Sequence, residues 1–198
     1  MRIARPGLIP IAAAALLGTT AVAYGQPTPP PATPAEVRQG FFVGFSVGAG
    51  NMSCETVGED EVCDGVTEAG GAALHLGTML RPHLALSGEV WVMGHTEDYV
   101  TITNAITTIG IVYWLTPNLW IRGGVGGAVA SWQYKGPLGL ELGDETESVP
   151  AVMGAVGYEL KSTPHFAIDI QLRGGTGYYE DEQAKTHNVA LAVGFTWY

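Results

Sequence analysis

Residues Val189-Ala190-Leu191-Ala192-Val193-Gly194-Phe195-Thr196-Trp197-Tyr198 place a large apolar side chain at every odd position and Ala, Gly or Thr between them. A period of two means a strand with two unlike faces. One face here is oily. The other is too small and too uncharged for an ordinary water-facing surface. The same pattern recurs upstream: Phe41, Val43, Phe45, Val47 and Ala49 oppose Gly40, Gly44, Ser46 and Gly48, with Phe42 the exception. Leu119, Ile121, Val125 and Val129 oppose Arg122, Gly124, Gly126 and Ala128, and Phe166, Ile168, Ile170 and Leu172 oppose Ala167, Asp169, Gln171 and Arg173. No stretch after Gly40 carries a convincing helical period, so the chain is all-β.

A weak repeat sets the connectivity. Arg81-Pro82-His83-Leu84, Thr116-Pro117-Asn118-Leu119 and Thr163-Pro164-His165-Phe166 each separate two alternating runs. Proline fixes φ for a turn and has no N–H for a central ladder, so each marks a tight reversal. Longer polar links lie between, at about 55–68, 94–100, 135–147 and 180–185. Three short turns alternating with four long loops give eight strands, at about 40–54, 67–81, 84–94, 100–115, 119–134, 148–161, 166–179 and 186–198.

Eight antiparallel strands with a narrow, small-residue face close into an up-and-down barrel. A soluble barrel would hold its apolar face inside and show charge outside. Here the small face fits the interior, so the apolar face meets lipid and the strands are transmembrane. The inward series contains Glu89, Arg122, Glu159, Asp169 and Arg173, which are expected to pair as a mixed lumen cluster that plugs the barrel, because a lone charge there is costly. Trp114, Trp120, Trp132, Tyr134, Tyr178 and Tyr179 lie near strand ends and are expected to form interfacial girdles. Fifteen of the 19 acidic residues fall in the four long loops, which makes that end strongly negative.

Residues 39–198 thereby resemble the small eight-stranded barrels of the Gram-negative outer membrane, the OmpA/OmpX-like β-barrel superfamily. The most specific element is the terminal strand, where Val193, Phe195, Trp197 and Tyr198 look like the aromatic-ended signal read by the barrel assembly machinery. The series ends on Trp197, the penultimate residue, which leaves Tyr198 without an assigned side. The resemblance implies an outer-membrane protein with its loops facing the exterior, in contact with outer-membrane lipid and lipopolysaccharide. It also implies a monomer without turnover, acting structurally or through surface interactions of its acidic loops. The alternatives are a narrow, porin-like channel for water or small solutes, and a lipid A hydrolase at the rim.

The remaining features bound these readings. Arg2 and Arg5 precede an apolar run from Leu8 to Leu17, and small residues then offer cleavage after Ala23 or Gly25, so residues 1–23 read as a signal peptide. Residues 24–38, rich in proline, read as an extended spacer. Cys54 and Cys63, in a chain expected to be exported, are expected to form a disulfide that staples a loop. Two thiols without a nearby histidine make a poor zinc set, and the acidic stretch from Glu55 to Asp64 lacks the spacing of a calcium loop, so no metal or cofactor is expected. With nine Lys plus Arg and a formal charge of -10, nucleic acid is excluded as a partner. His95 and His187 approach the rim, and Ser131 or Ser148 could come from neighbouring strands. No spacing links them into a triad, and no catalysis is expected.

Overall fold

The computed structural model describes residues 38–56, 64–97, 99–135, 141–145, 148–179 and 184–198. Within them the strands are β1 (Phe41–Thr56), β2 (Asp64–Arg81), β3 (Leu84–Glu97), β4 (Val100–Trp114), β5 (Leu119–Lys135), β6 (Glu141–Glu145), β7 (Val149–Ser162), β8 (Phe166–Tyr179) and β9 (Ala184–Trp197). Every pairing is antiparallel. β1 pairs with both β2 and β9, and β4 with both β3 and β5, so eight strands close on themselves as a transmembrane barrel. β6, inside a link expected to be loop, is the addition: it pairs only with residues 131–135 of β5 and takes no part in closure.

The register fixes the tilt. A walk across paired residues from Val43 passes Leu76, Gly88, Ile109, Val125, Val152, Thr176 and His187, and returns to β1 at Ser53, ten residues along. Such a stagger in an eight-stranded barrel goes with strands tilted by roughly 45°, and the interior is then just wide enough for side chains to fill.

The three proline turns form one end. In two of them the threonine before proline does the closing: Thr116 Oγ1 accepts the Leu119 N–H at 3.0 Å, and Thr163 Oγ1 accepts the Phe166 N–H at 3.0 Å. A Thr-Pro pair thus supplies both the preset φ and the acceptor for the first N–H of the next strand.

Alternation sorts the side chains. Phe41, Val43, Phe45 and Val47 are exposed on the outer wall, whereas Phe42, Ser46 and Met52 are buried inside. Around the turn end, Phe45, Phe166, Phe195 and Trp197 stack on the outer wall, with Phe45 and Phe195 centroids 5.1 Å apart. Phe41, Tyr113 and Tyr158 continue this exposed aromatic ring. Val193 belongs to the same outward series. Tyr198 turns the other way, its ring 6.0 Å from that of Phe42 at the lumen mouth.

Trp114 and Trp120 correct the girdle reading. They are 7% and 5% exposed and lie inside the barrel, because they occupy even positions of β4 and β5, the inward parity. Parity, not nearness to a strand end, sets which side of the wall a side chain takes. Trp132 and Tyr178 are exposed at the loop end, while the side chains of Tyr134 and Tyr179 lie outside the described residues.

Candidate functional site

The lumen is layered from the turn end to the loop end. At the turn mouth Phe42, Val112, Trp114 and Trp120 pack together with Tyr198. Among them sits Arg38, the last residue of the expected spacer, which is buried here. Its guanidinium is ion-paired with Glu159, donates to the Pro117 carbonyl at 2.7 Å, and lies 4.9 Å from the Trp114 ring centroid. Trp114 Nε1 donates to the other Glu159 oxygen at 2.8 Å. Glu159 is therefore held from two sides, and the chain preceding β1 supplies its cation.

The next layer is a continuous network. Glu89 on β3 is shared by two arginines: Arg122 of β5 is ion-paired with one carboxylate oxygen, and Arg173 of β8 bonds the other at 2.7 Å. Arg173 also donates to Gln171 Oε1, and Gln171 Nε2 donates to Asp169 at 2.7 Å. His75 Nε2 lies 3.1 Å from Thr196 Oγ1 in the same layer. Glu89, Glu159, Asp169 and Arg173 are all 4% exposed or less. Glycine makes the space: a Cβ at Gly194 would overlap Gln171 and Asp169, and one at Gly157 would overlap the Trp120 indole.

Above the charges the lumen turns apolar, with Trp91, Met93, Ile106 and Met153 filling it. Arg173 stacks on Trp91 at 5.4 Å, which joins the two layers. Nearer the loops, Asn188 Nδ2 donates to Asn104 Oδ1 at 2.7 Å. The free space beside Arg122, Asp169 and Glu159 is about 20 Å³, room for about one water. None remains beside Trp91 and Arg173. Chemically this is a plug of buried, paired charges capped by aromatic and sulfur-containing side chains, in which the Nε atoms of Arg38, Arg122 and Arg173 and Nδ1 of His75 are buried without a hydrogen-bond partner of their own.

All five sequence-singled lumen charges lie in this plug, but Arg38, His75 and Gln171 complete it. Gln171 stood in the quoted inward series and His75 lies at an inward position of β2, so parity could have found both. Arg38 precedes the first alternating run and gave no signal.

At the loop end, no hydrogen bond joins a histidine ring to a serine among the described residues. Among the described residues, His187 Nδ1 lies 2.9 Å from Thr176 Oγ1 and its Nε2 3.6 Å from Glu55. His95 faces the Glu68 carbonyl at 2.6 Å and Glu97 at 3.8 Å. No group of three metal-ligating side chains occurs among the described residues. Cys54 lies at the loop end of β1, and Cys63 lies outside the described residues.

The architecture defines a class: this is an eight-stranded transmembrane β-barrel with the fold of the small bacterial outer-membrane barrels. No family model and no curated protein matches the chain. Among solved structures it is similar to Ail, the attachment invasion locus protein of Yersinia pestis, crystallised with the heparin analogue sucrose octasulfate. That likeness has a TM-score of 0.57 at 14% identity and covers 79% of this chain and 99% of that one. It is likewise similar to Neisserial surface protein A, with a TM-score of 0.58 at 11% identity, over 79% of this chain and 96% of that one. At such identities the likeness is one of fold.

Proposed function

We propose that the protein is a plugged barrel of the bacterial outer membrane that acts through its exterior loops, as a structural or surface-interaction protein without turnover. The observation that supports this reading is the network joining Arg122, Glu89, Arg173, Gln171 and Asp169, with space for no continuous water column beside it. A pore lined by charge would leave those groups solvated. Here the charges are buried and paired with one another, which favours closure over conduction.

The loops carry the interaction. Their acidic character suits a cationic or cation-bridged partner, lipopolysaccharide being the adjacent surface. The polyanion in the Ail structure does not carry over, because clustered loop carboxylates would repel it. Export by a signal peptide cut after Ala23 or Gly25, assembly by the barrel machinery and a monomeric state complete the reading.

Single-channel recording in planar bilayers tests it. The protein is expected to show little steady conductance, and Arg122→Ala to raise current fluctuations by leaving Glu89 half-compensated. Large, stable conductance in the unmutated protein, unchanged by Arg122→Ala and Arg173→Ala, would overturn the plug and establish the narrow channel.

A further inference from the structure

The outer wall is notched on one side. Gly154 of β7 and Gly174 of β8 are register partners facing outward, and with Val152 and Val189 they border a groove of about 440 Å³. At its loop end the groove is edged by Thr176 and His187, joined at 2.9 Å. One step nearer the loops, Lys185 is the register partner of both Tyr178 and Glu55, its Nζ 5.7 Å from the Tyr178 ring centroid. The Glu55 side chain is 71% exposed and reaches His187 from β1, outside the groove.

Depth assigns each part a surrounding. His187 lies ten residues along β9 from Trp197 of the turn-end aromatic ring, about 23 Å along the barrel axis at this tilt, close to the ~25 Å apolar band of such barrels. The polar group therefore stands at headgroup level, and the glycine groove opens beneath it at acyl-chain level. A molecule occupying that groove in the membrane is a lipid.

Charge selects which lipid. Seven Lys and Arg follow residue 37. Arg38, Arg122 and Arg173 are buried in the lumen, and Arg81 and Lys161 lie at the turn end, so only Lys135 and Lys185 remain for the loop end. In a chain this acidic, one of these two cations, Lys185, lies two residues along β9 beyond His187, the residue that edges the groove, within reach of its loop end. The geometry points to a binding site for a phosphate-bearing, acylated lipid: one acyl chain lies against Gly154 and Gly174, and the phosphate meets Lys185, with a hydrogen bond from the Thr176 hydroxyl, which His187 positions. The assignment to the outer leaflet, and hence to the phosphorylated glycolipid of that leaflet, rests on the loop-outward reading above.

Native mass spectrometry of the folded, full-length mature protein released from uncharged detergent tests the site, with dioleoylphosphatidic acid, dioleoylglycerol and inorganic phosphate as probes. One tightly retained phosphatidic acid is expected, under conditions where neither of the other two is retained. Lys185→Gln is expected to weaken retention about tenfold, the loss of one charge-assisted contact. Gly174→Val is expected to abolish it by filling the groove. A Cβ at Gly174 meets nothing nearer than the Asn188 carbonyl at 3.6 Å, so that variant folds, and gel mobility confirms it. Equal retention by all three folded proteins, or retention of dioleoylglycerol as tight as that of phosphatidic acid, would overturn the site. Protease treatment of intact cells separates this from the orientation. Loops protected from cleavage while phosphatidic acid binding persists would overturn the outer-leaflet assignment alone.

Discussion

The two halves of the lumen are equally closed by different means. The turn half holds Glu159 paired with Arg38 and, next to it, Arg122, Glu89, Arg173, Gln171 and Asp169 in one bonded network, and the loop half holds Met52, Met93, Ile106 and Met153 against Trp91. Polar partners in the first half depend on one another, so losing one strands the rest. In the second half each side chain loses only its own contacts. Equal burial therefore conceals unequal sensitivity, and substitutions are the means of exposing it.

The largest effect is expected at Glu89, because one carboxylate serves two arginines. Glu89→Leu leaves Arg122 and Arg173 without the carboxylate they share, at an expected cost of about 3–5 kcal/mol in urea unfolding of the micelle-folded protein. Glu89→Gln, which keeps the volume, is expected to recover little of it. Met93→Ala provides the contrast in the loop half. Its expected loss is about 2 kcal/mol, at the low end for a buried methionine, because Met52 and Met153 are flexible enough to refill the site. A Met93→Ala loss equal to that of Glu89→Leu would erase the distinction between the halves.

Arg38 sharpens the comparison at the turn mouth. Its removal strands a single carboxylate that Trp114 still contacts, so Arg38→Ala is expected to cost about 1–2 kcal/mol. Adding Glu159→Gln to Arg38→Ala is expected to restore most of that loss in a double-mutant cycle. Additive losses would show that Arg38 acts by packing on Trp114 and Tyr198 instead of by charge.

The legible part of this molecule was whatever alternation encodes. The apolar outer wall follows from a period of two and the strand number from the proline turns and polar links between the alternating runs, and the bounds of β3 and β7 moved by only a few residues. The charges of the lumen were legible as inward positions, but their partners were not. Pairing depends on stagger, and a ten-residue shear brings Arg173 of β8 to Glu89 of β3 across the barrel. Trp114 and Trp120 lie near strand ends, as girdle residues do, but at inward positions, and parity decides. Arg38 was missed because it lies before the first strand, where no periodicity exists to read. β6 escaped because its sequence, Glu-Leu-Gly-Asp-Glu, is polar and is organised only by the edge that β5 extends beyond the barrel.

The smallest effect on the barrel is expected at the loop end, beyond both halves. Cys54 stands opposite Gly65 and Thr186 where β1 leaves the barrel wall, and its expected disulfide to Cys63 would close a short loop above the last ladder rung. Closing so short a loop removes about 2–3 kcal/mol of chain entropy in the usual model, yet that acts on the ordering of the loop. The strands themselves are fixed by closure and by the plug beneath. Cys54→Ala is therefore expected to leave the urea midpoint unchanged, within about 0.5 kcal/mol, while making the 54–63 segment markedly more susceptible to protease. Mass spectrometry of the exported protein without reductant should find the two thiols two hydrogens lighter than free. A substitution at Cys54 that lowers the barrel's stability as much as Met93→Ala would show that the loop end is coupled to the lumen, and that the plug does not stand independently of what lies above it.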